Sequence, residues 1–306
     1  MEEQLANLDL TFNESSLTVL NLCIAFIMFG VALTLKKKHF ELLITSPKPV
    51  FTGMLSQFIV LPALTFVLVY FLQPATPLAL GMILVAACPG GNVSNFFSMV
   101  GGGNTALSVT LTAIATVLAV VMTPLNFEVW SHFLYIKGFE KSFSVDPLDM
   151  FKTVSLIIGL PIIAGVIVAL KLPKLTERIH KPIKWLSFLI LLGFIGVAFW
   201  NNRTIFVNHF EKVIFLVFLH NAIAIGSGFY LAKALKNNKR DSRTISLETG
   251  IQNSGLALVI IFSFFGGNGG MAFIAAWWGV WHIVAGFIIT RIFVYSDSRQ
   301  TVDLEQ

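Results

Sequence analysis

Charge is scarce in this chain. Only 12% of its 306 residues are Asp, Glu, Lys or Arg, against about a quarter in soluble domains, while 56% are hydrophobic. That shortage excludes a water-soluble fold and leaves a membrane protein. The 21 Lys and Arg lie in short scattered stretches, so no basic face for nucleic acid is assembled. Cysteine is nearly absent. Cys23 and Cys88 both fall in apolar runs, which excludes a disulfide framework or zinc cluster and reads as packing. No His-x-x-x-His pair and no Ser/His/Asp set stands out, so an intramembrane enzyme ranks last. The opening MEEQLANLDLTFNESS has neither a basic leader nor a small-residue cleavage site, and the first apolar run is expected to be a retained span.

What is present is apolar length. At about 20 residues per bilayer crossing, nine spans are expected, near 17–35, 49–72, 77–100, 105–130, 148–170, 184–200, 211–235, 244–266 and 270–293. With the N-terminus outside, sixteen Lys and Arg fall inside, from the run Lys36–Lys38 to Arg299 and including Arg243. Five fall outside: Lys137, Lys141, Lys152, Arg203 and Lys212. The positive-inside rule then puts the C-terminus in the cytoplasm.

Two spans carry polar interruptions. The third holds CPGGNVSN (88–95) and the eighth holds ETGIQNSGLA (248–257). Proline removes an amide donor and glycine favours unwinding, so both helices are expected to break. The two spans run in opposite directions five spans apart, and spans one to four match six to nine inverted. This is the pattern of an inverted-repeat secondary transporter, whose site lies where discontinuous helices meet.

Glu248 is the acid set furthest into a span, and no Lys or Arg occupies the middle of any span. A lone charge there needs a partner, and a mobile cation or proton supplies one. Hard oxygen ligands surround it in sequence: Gln252, Asn253 and carbonyls freed by unwinding, with Ser94 and Asn95 across the crossing and Gln57 in span two. The set fits Na+. Ser108 and Thr112, taken alone, read as hydrogen-bonding glue between helices. The helices that restart after each break offer free N–H groups to an organic anion. His220 and His282 read as packing histidines rather than a proton relay. GGGN (101–104) is discarded as a phosphate loop, since no Lys-Ser/Thr follows and no strand precedes it.

CPGGNVSN followed by GNTALSVTLT, then ETGIQNSGLA and WH at 281–282, resembles the bile acid:sodium symporter family over nearly the whole chain. The resemblance implies an all-α polytopic membrane protein in which residues 1–306 form one transporter unit. Nine transmembrane helices would form an inverted repeat with two crossing broken helices. The core domain would comprise the spans near 49–130 and 211–293, and the panel domain those near 17–35 and 148–200. Two Na+ sites are implied. One would use Ser94, Asn95, Ser108, Thr112 and Glu248. The other would use Gln57, Glu248, Gln252 and the carbonyls of Thr249 and Ile251. Substrate would meet Asn92, Asn253, His282 and Ile283. Here the chain departs from the family: Asn92 stands where Thr is common, and Ile283 where a bacterial relative has Asn.

The reading is a Na+-coupled symporter of an organic anion in the plasma (inner) membrane, with no obligate protein partner evident. A bile acid, a related steroid conjugate or a small carboxylate all remain open as cargo. A proton-coupled carrier and a non-transporting ligand sensor are the alternatives.

Overall fold

In the computed structural model, residues 14–33, 41–136, 152, 155–201 and 203–304 are described. The basic run Lys36–Lys38, with Lys137 and Lys141 of the charge count, lies outside them. Among the described residues the protein is helical, and its only β-type pairing is an isolated bridge. The helices are α1 (Glu14–Ala32), α2 (Pro47–Leu72), α3 (Thr76–Ala87), α4 (Val93–Val100), α5 (Thr105–Ile136) and α6 (Leu160–Lys171). They continue with α7 (Pro173–Asn201), α8 (Arg203–Ala234), α9 (Lys239–Gly250), α10 (Ser254–Phe264) and α11 (Gly269–Leu304).

By length and apolarity, four of these suffice to cross a membrane: α2, Thr105–Tyr135 of α5, Phe210–Ala234 of α8 and Gly269–Asp297 of α11. α3, α6 and α10 are apolar but shorter. Several helices outrun the spans expected from hydropathy. α5 continues to Ile136, α7 begins at Pro173 and α11 reaches Leu304, because hydropathy marks the hydrocarbon core while helical hydrogen bonding carries on past it. Large apolar side chains such as Phe51, Phe71, Leu125, Ile163, Phe215 and Ile292 face outward, a surface suited to lipid.

Two helices contain a wide π turn, Ser56–Val60 within α2 and Ser155–Gly159 leading into α6. Each is followed by Leu-Pro, at 61–62 and 160–161. A proline cannot donate to the carbonyl four residues back, so the ladder loosens by one residue just before it. In α2 the turn buries Ser56, Gln57 and Phe58 together.

Packing sorts the helices. α1, α6 and α7 contact one another, with Gly165 set against Phe29 and Ala32. The others surround the two interrupted rods, α3–α4 and α9–α10. After each rod comes a glycine turn with an asparagine at its end. Gly101–Gly103 lead to Asn104, whose Oδ1 accepts from Leu107 N at 3.1 Å. Gly266 and Gly267 lead to Asn268, whose Oδ1 accepts from Met271 N at 3.1 Å. Gly102, Gly266 and Gly267 have positive φ (67°, 57° and 71°), which L side chains resist. The segment read only as a failed phosphate loop is thus one of two equivalent capping turns, each opening the helix that follows a broken rod.

α3 is buried along its whole length and packs on α11 through Gly81, where an added Cβ would lie 2.9 Å from the Met271 backbone. Gly81→Val is expected to lower the melting temperature of the purified protein, at a cost of about 1–3 kcal/mol. Differential scanning fluorimetry in detergent measures it.

Candidate functional site

The two breaks are short. In the first, Cys88 turns extended, Pro89 lacks an amide and the chain recoils at Val93. In the second, Ile251 leaves the helix and Ser254 resumes it. They meet back to back. Gly90 pairs with Gln252 in an antiparallel bridge, Gly91 N donates to Ile251 O at 2.7 Å, and Asn253 N donates to Pro89 O at 2.8 Å. Each break therefore satisfies backbone groups exposed by the other, as buried irregular backbone requires. The approach depends on glycine: a Cβ on Gly90 would fall on Glu248 Oε1, and one on Gly91 would lie 3.2 Å from Gln252 O.

Glu248, 1% exposed, lies two residues before the end of α9. Its carboxylate gathers three hydroxyl donors: Ser94 Oγ at 2.5 Å and Ser108 Oγ at 3.0 Å on Oε2, and Thr112 Oγ1 at 2.6 Å on Oε1. Ser108 and Thr112, one turn apart on α5, are thus bound to the acid itself. Thr112 Oγ1 also stands 3.3 Å from Asn95 Oδ1. Its single proton goes to the nearer carboxylate, which leaves the amide oxygen available. Among the described residues no cationic side chain pairs with Glu248; Arg243 is engaged with Asp297 at 2.7 Å. The cluster supplies hydrogen bonds to the acid and no positive charge. Its donor atoms are all oxygens around one carboxylate, the kind of donor that hard cations favour.

The α5–α9 register is set one turn earlier. Asn104 Nδ2 donates to Asp241 Oδ1 at 2.8 Å and Asn104 N to Thr244 Oγ1 at 2.7 Å. Asn104, Ser108 and Thr112 thereby climb α5 opposite Asp241, Thr244 and Glu248 of α9. Below this ladder Arg243, 3% exposed, bonds Gly101 O and Phe293 O as well as Asp297. Arg243, counted from sequence as a loop charge, is a buried clamp between the glycine turn and α11.

A second polar group surrounds the end of α9. Gln252 Nε2 donates to Thr249 O at 2.8 Å, Thr249 Oγ1 meets Ser56 Oγ of the π turn at 2.8 Å, and Asn221 Nδ2 of α8 donates to Gly250 O at 2.7 Å. Gln57, beside Ser56, is fully buried, and neither of its amide atoms has a partner among the described residues. Sequence reasoning missed Ser56, Asn104, Asp241 and Asn221. Only the polar pair His220–Asn221 inside an apolar span hinted at the last.

Of the residues expected to meet substrate, Asn92 is exposed at the start of α4, and Asn253 is half-buried with its Oδ1 capping Leu256 N at 3.0 Å. The Asn253 amide NH2 and the second lone pair of Oδ1 are then left for a ligand. His282 is buried and Ile283 is 40% exposed. Both lie within a turn or so of Gly279, where α11 presses on Ser254 at the start of α10. His220 bonds Thr65 at 2.7 Å and packs on the Trp278 ring, holding α2, α8 and α11 together.

Comparison with known proteins agrees with these motifs. Residues 21–209 match the family model described as the Sodium Bile acid symporter family. An uncharacterised sodium-dependent transporter of Bacillus subtilis, YocS, is 31% identical over 87% of this chain and 80% of its own. The probable sodium/metabolite cotransporter BASS1, chloroplastic, of Arabidopsis thaliana is 32% identical over 94% of this chain and 69% of its own. The P3 protein of Mus musculus is 35% identical over 72% of this chain, which spans less than half of that protein (46%). The family match ends before the second break, and the Bacillus subtilis and Arabidopsis thaliana relatives, by the share of the chain they cover, carry the similarity past it.

Gly90→Ala is expected to destabilise the protein by about 1–3 kcal/mol, since the new methyl meets the Glu248 side chain at its carboxylate. Gly226→Ala in α8, with open space around it, is expected to be neutral or stabilising by up to about 1 kcal/mol. Parallel melting curves check the contrast.

Proposed function

The chain belongs to the Sodium Bile acid symporter family, and on that premise we propose that it is a Na+-coupled symporter that moves an organic anion across a membrane by alternating access. The observation that carries the reading is Glu248: a buried carboxylate with three hydroxyl donors and no positive partner among the described residues, at the meeting of two broken helices. Retaining such a group in hydrocarbon asks for a cation that comes and goes. The sodium-dependent names of the relatives support that cation being Na+.

Two ions are proposed. The first sits with Ser94, Asn95, Ser108, Thr112 and Glu248. The second sits with Gln57, Glu248, Gln252 and the carbonyls of Thr249 and Ile251. Each of those carbonyls already accepts one hydrogen bond, from Gln252 Nε2 and Gly91 N respectively, and keeps a second lone pair. Binding neutralises Glu248 and stiffens the crossing. Substrate then docks against the restarted helices α4 and α10, near Asn92, Asn253, His282 and Ile283. Their free N–H groups favour an anionic head. Sodium that raises substrate affinity must have its own affinity raised equally by substrate, which is the coupling.

The nine-span arrangement, N-terminus outside and C-terminus inside, belongs to the same reading. The rods and the helices around them are the core, and α1, α6 and α7 are the panel against which it rocks. Asn92 and Ile283 alter the polar groups offered to cargo, so a bile acid, a steroid conjugate and a small carboxylate are all cargo classes to test.

Glu248→Ala and Gln252→Ala are each expected to abolish Na+-stimulated uptake while leaving the protein folded. Uptake into sealed vesicles under an imposed Na+ gradient measures this, with detergent melting curves as the folding control. Full uptake by either variant at limiting Na+ refutes the assignment. Uptake that follows pH at constant Na+ would instead make Glu248 a proton carrier.

A further inference from the structure

The end of α9 frees three successive carbonyls, and each receives one donor. Gln252 Nε2 takes Thr249 O, Asn221 Nδ2 takes Gly250 O, and Gly91 N takes Ile251 O. A carboxamide that commits its NH2 to a carbonyl has its oxygen turned the other way, so the orientation of Asn221 is set by this bond. Asn221 is 1% exposed, and its Oδ1 has no partner among the described residues. The same is true of Gln252 Oε1 and Gln57 Oε1. Buried acceptors without donors are rare in folded proteins. Here three of them come from three elements, α8, the second break and the π turn of α2, and all attach to residues 249–252, Gln57 through its neighbour Ser56.

We propose that Asn221 Oδ1 is a ligand of the second sodium ion, so that α8 contributes directly to the cation site. The assignment rests on the symport reading above and adds a residue to its ligand set. A hard cation accounts for all three oxygens with one particle, since each offers a lone pair and none needs a donor hydrogen. A buried water would satisfy one or two of them but would bring no charge to Glu248. The bond to Gly250 O sets the distance of Asn221 from the break, and α8 is held against α9 by Ser246 Oγ on Ile225 O at 2.8 Å and by Ile225 packed on Gly250.

The test titrates purified protein with NaCl, with choline chloride holding ionic strength constant, and reads the melting temperature. Asn221→Ala is expected to raise the half-saturating Na+ concentration about tenfold and to bring the Hill coefficient from roughly two toward one. Asn221→Asp keeps an oxygen in place but loses the donor to Gly250 O, and is expected to titrate at or below the wild-type concentration. An alanine variant that titrates like wild type overturns the proposal. So does an aspartate variant that titrates as weakly as alanine, which would make the tether and not the oxygen the active part. Should the alanine variant fail to fold, the aspartate titration decides alone: weaker than wild type overturns. A wild-type protein with no sodium response sinks the symport reading itself, whereas a responsive wild type with unaltered variants sinks only this assignment.

Discussion

Everything in the centre of this protein depends on bringing two interrupted backbones into contact. A helix that stops inside hydrocarbon strands its amides and carbonyls, and no water is at hand to receive them. The exchange between Gly91 and Ile251, and between Asn253 and Pro89, resolves that problem for both rods at once. It also requires that neither side chain stand between them, hence Gly90 and Gly91. The carboxylate of Glu248 takes the room that a Cβ on Gly90 would need. Backbone contact and buried charge are one construction, and neither is tolerable alone.

The breaks were legible in the sequence because proline and glycine act locally. Pro89 and its glycines end α3 within a residue or two of where the composition put the break, and Gly250 is the last residue of α9. Glu248 was legible because a carboxylate in an apolar run has no bland explanation. Ser108 and Thr112 were harder, since spacing alone suits interhelical glue equally well; their role rests on the acid lying 140 and 136 residues further on. Asn104, Asp241 and Asn221 were illegible for the same reason. Each is an ordinary loop or helix polar residue until the fold supplies its partner, and no local propensity encodes a partner more than a hundred residues away, or on the next helix at an unknown angle.

The repeat is legible at the level of turns as well as helices. Asn104 and Asn268 perform the same capping after equivalent rods, yet their surroundings differ. The Asn104 turn is gripped by Asp241, Thr244 and Arg243, with Asp297 beyond. Asn268 itself is fully buried, with Gly270 beside it pressed on Pro77. One turn is held by directional hydrogen bonds and an ion pair, and the other chiefly by apolar packing, whose contacts have no fixed direction.

The wide turn at Ser56–Val60 has a consequence for how this chain can change length over time. It holds one residue more than an ordinary turn, and that extra residue is what brings Ser56 and Gln57 inward together. Deleting any single residue there would restore a regular helix and leave the two halves of α2 nearly in phase, because the wide turn absorbs its extra residue. Thr52, whose hydroxyl accepts from Asn237, would keep its place, while the turn would have one position fewer with which to bury Ser56, Gln57 and Phe58 together. A lost codon there would spare the frame of α2 and cost it part of its polar lining.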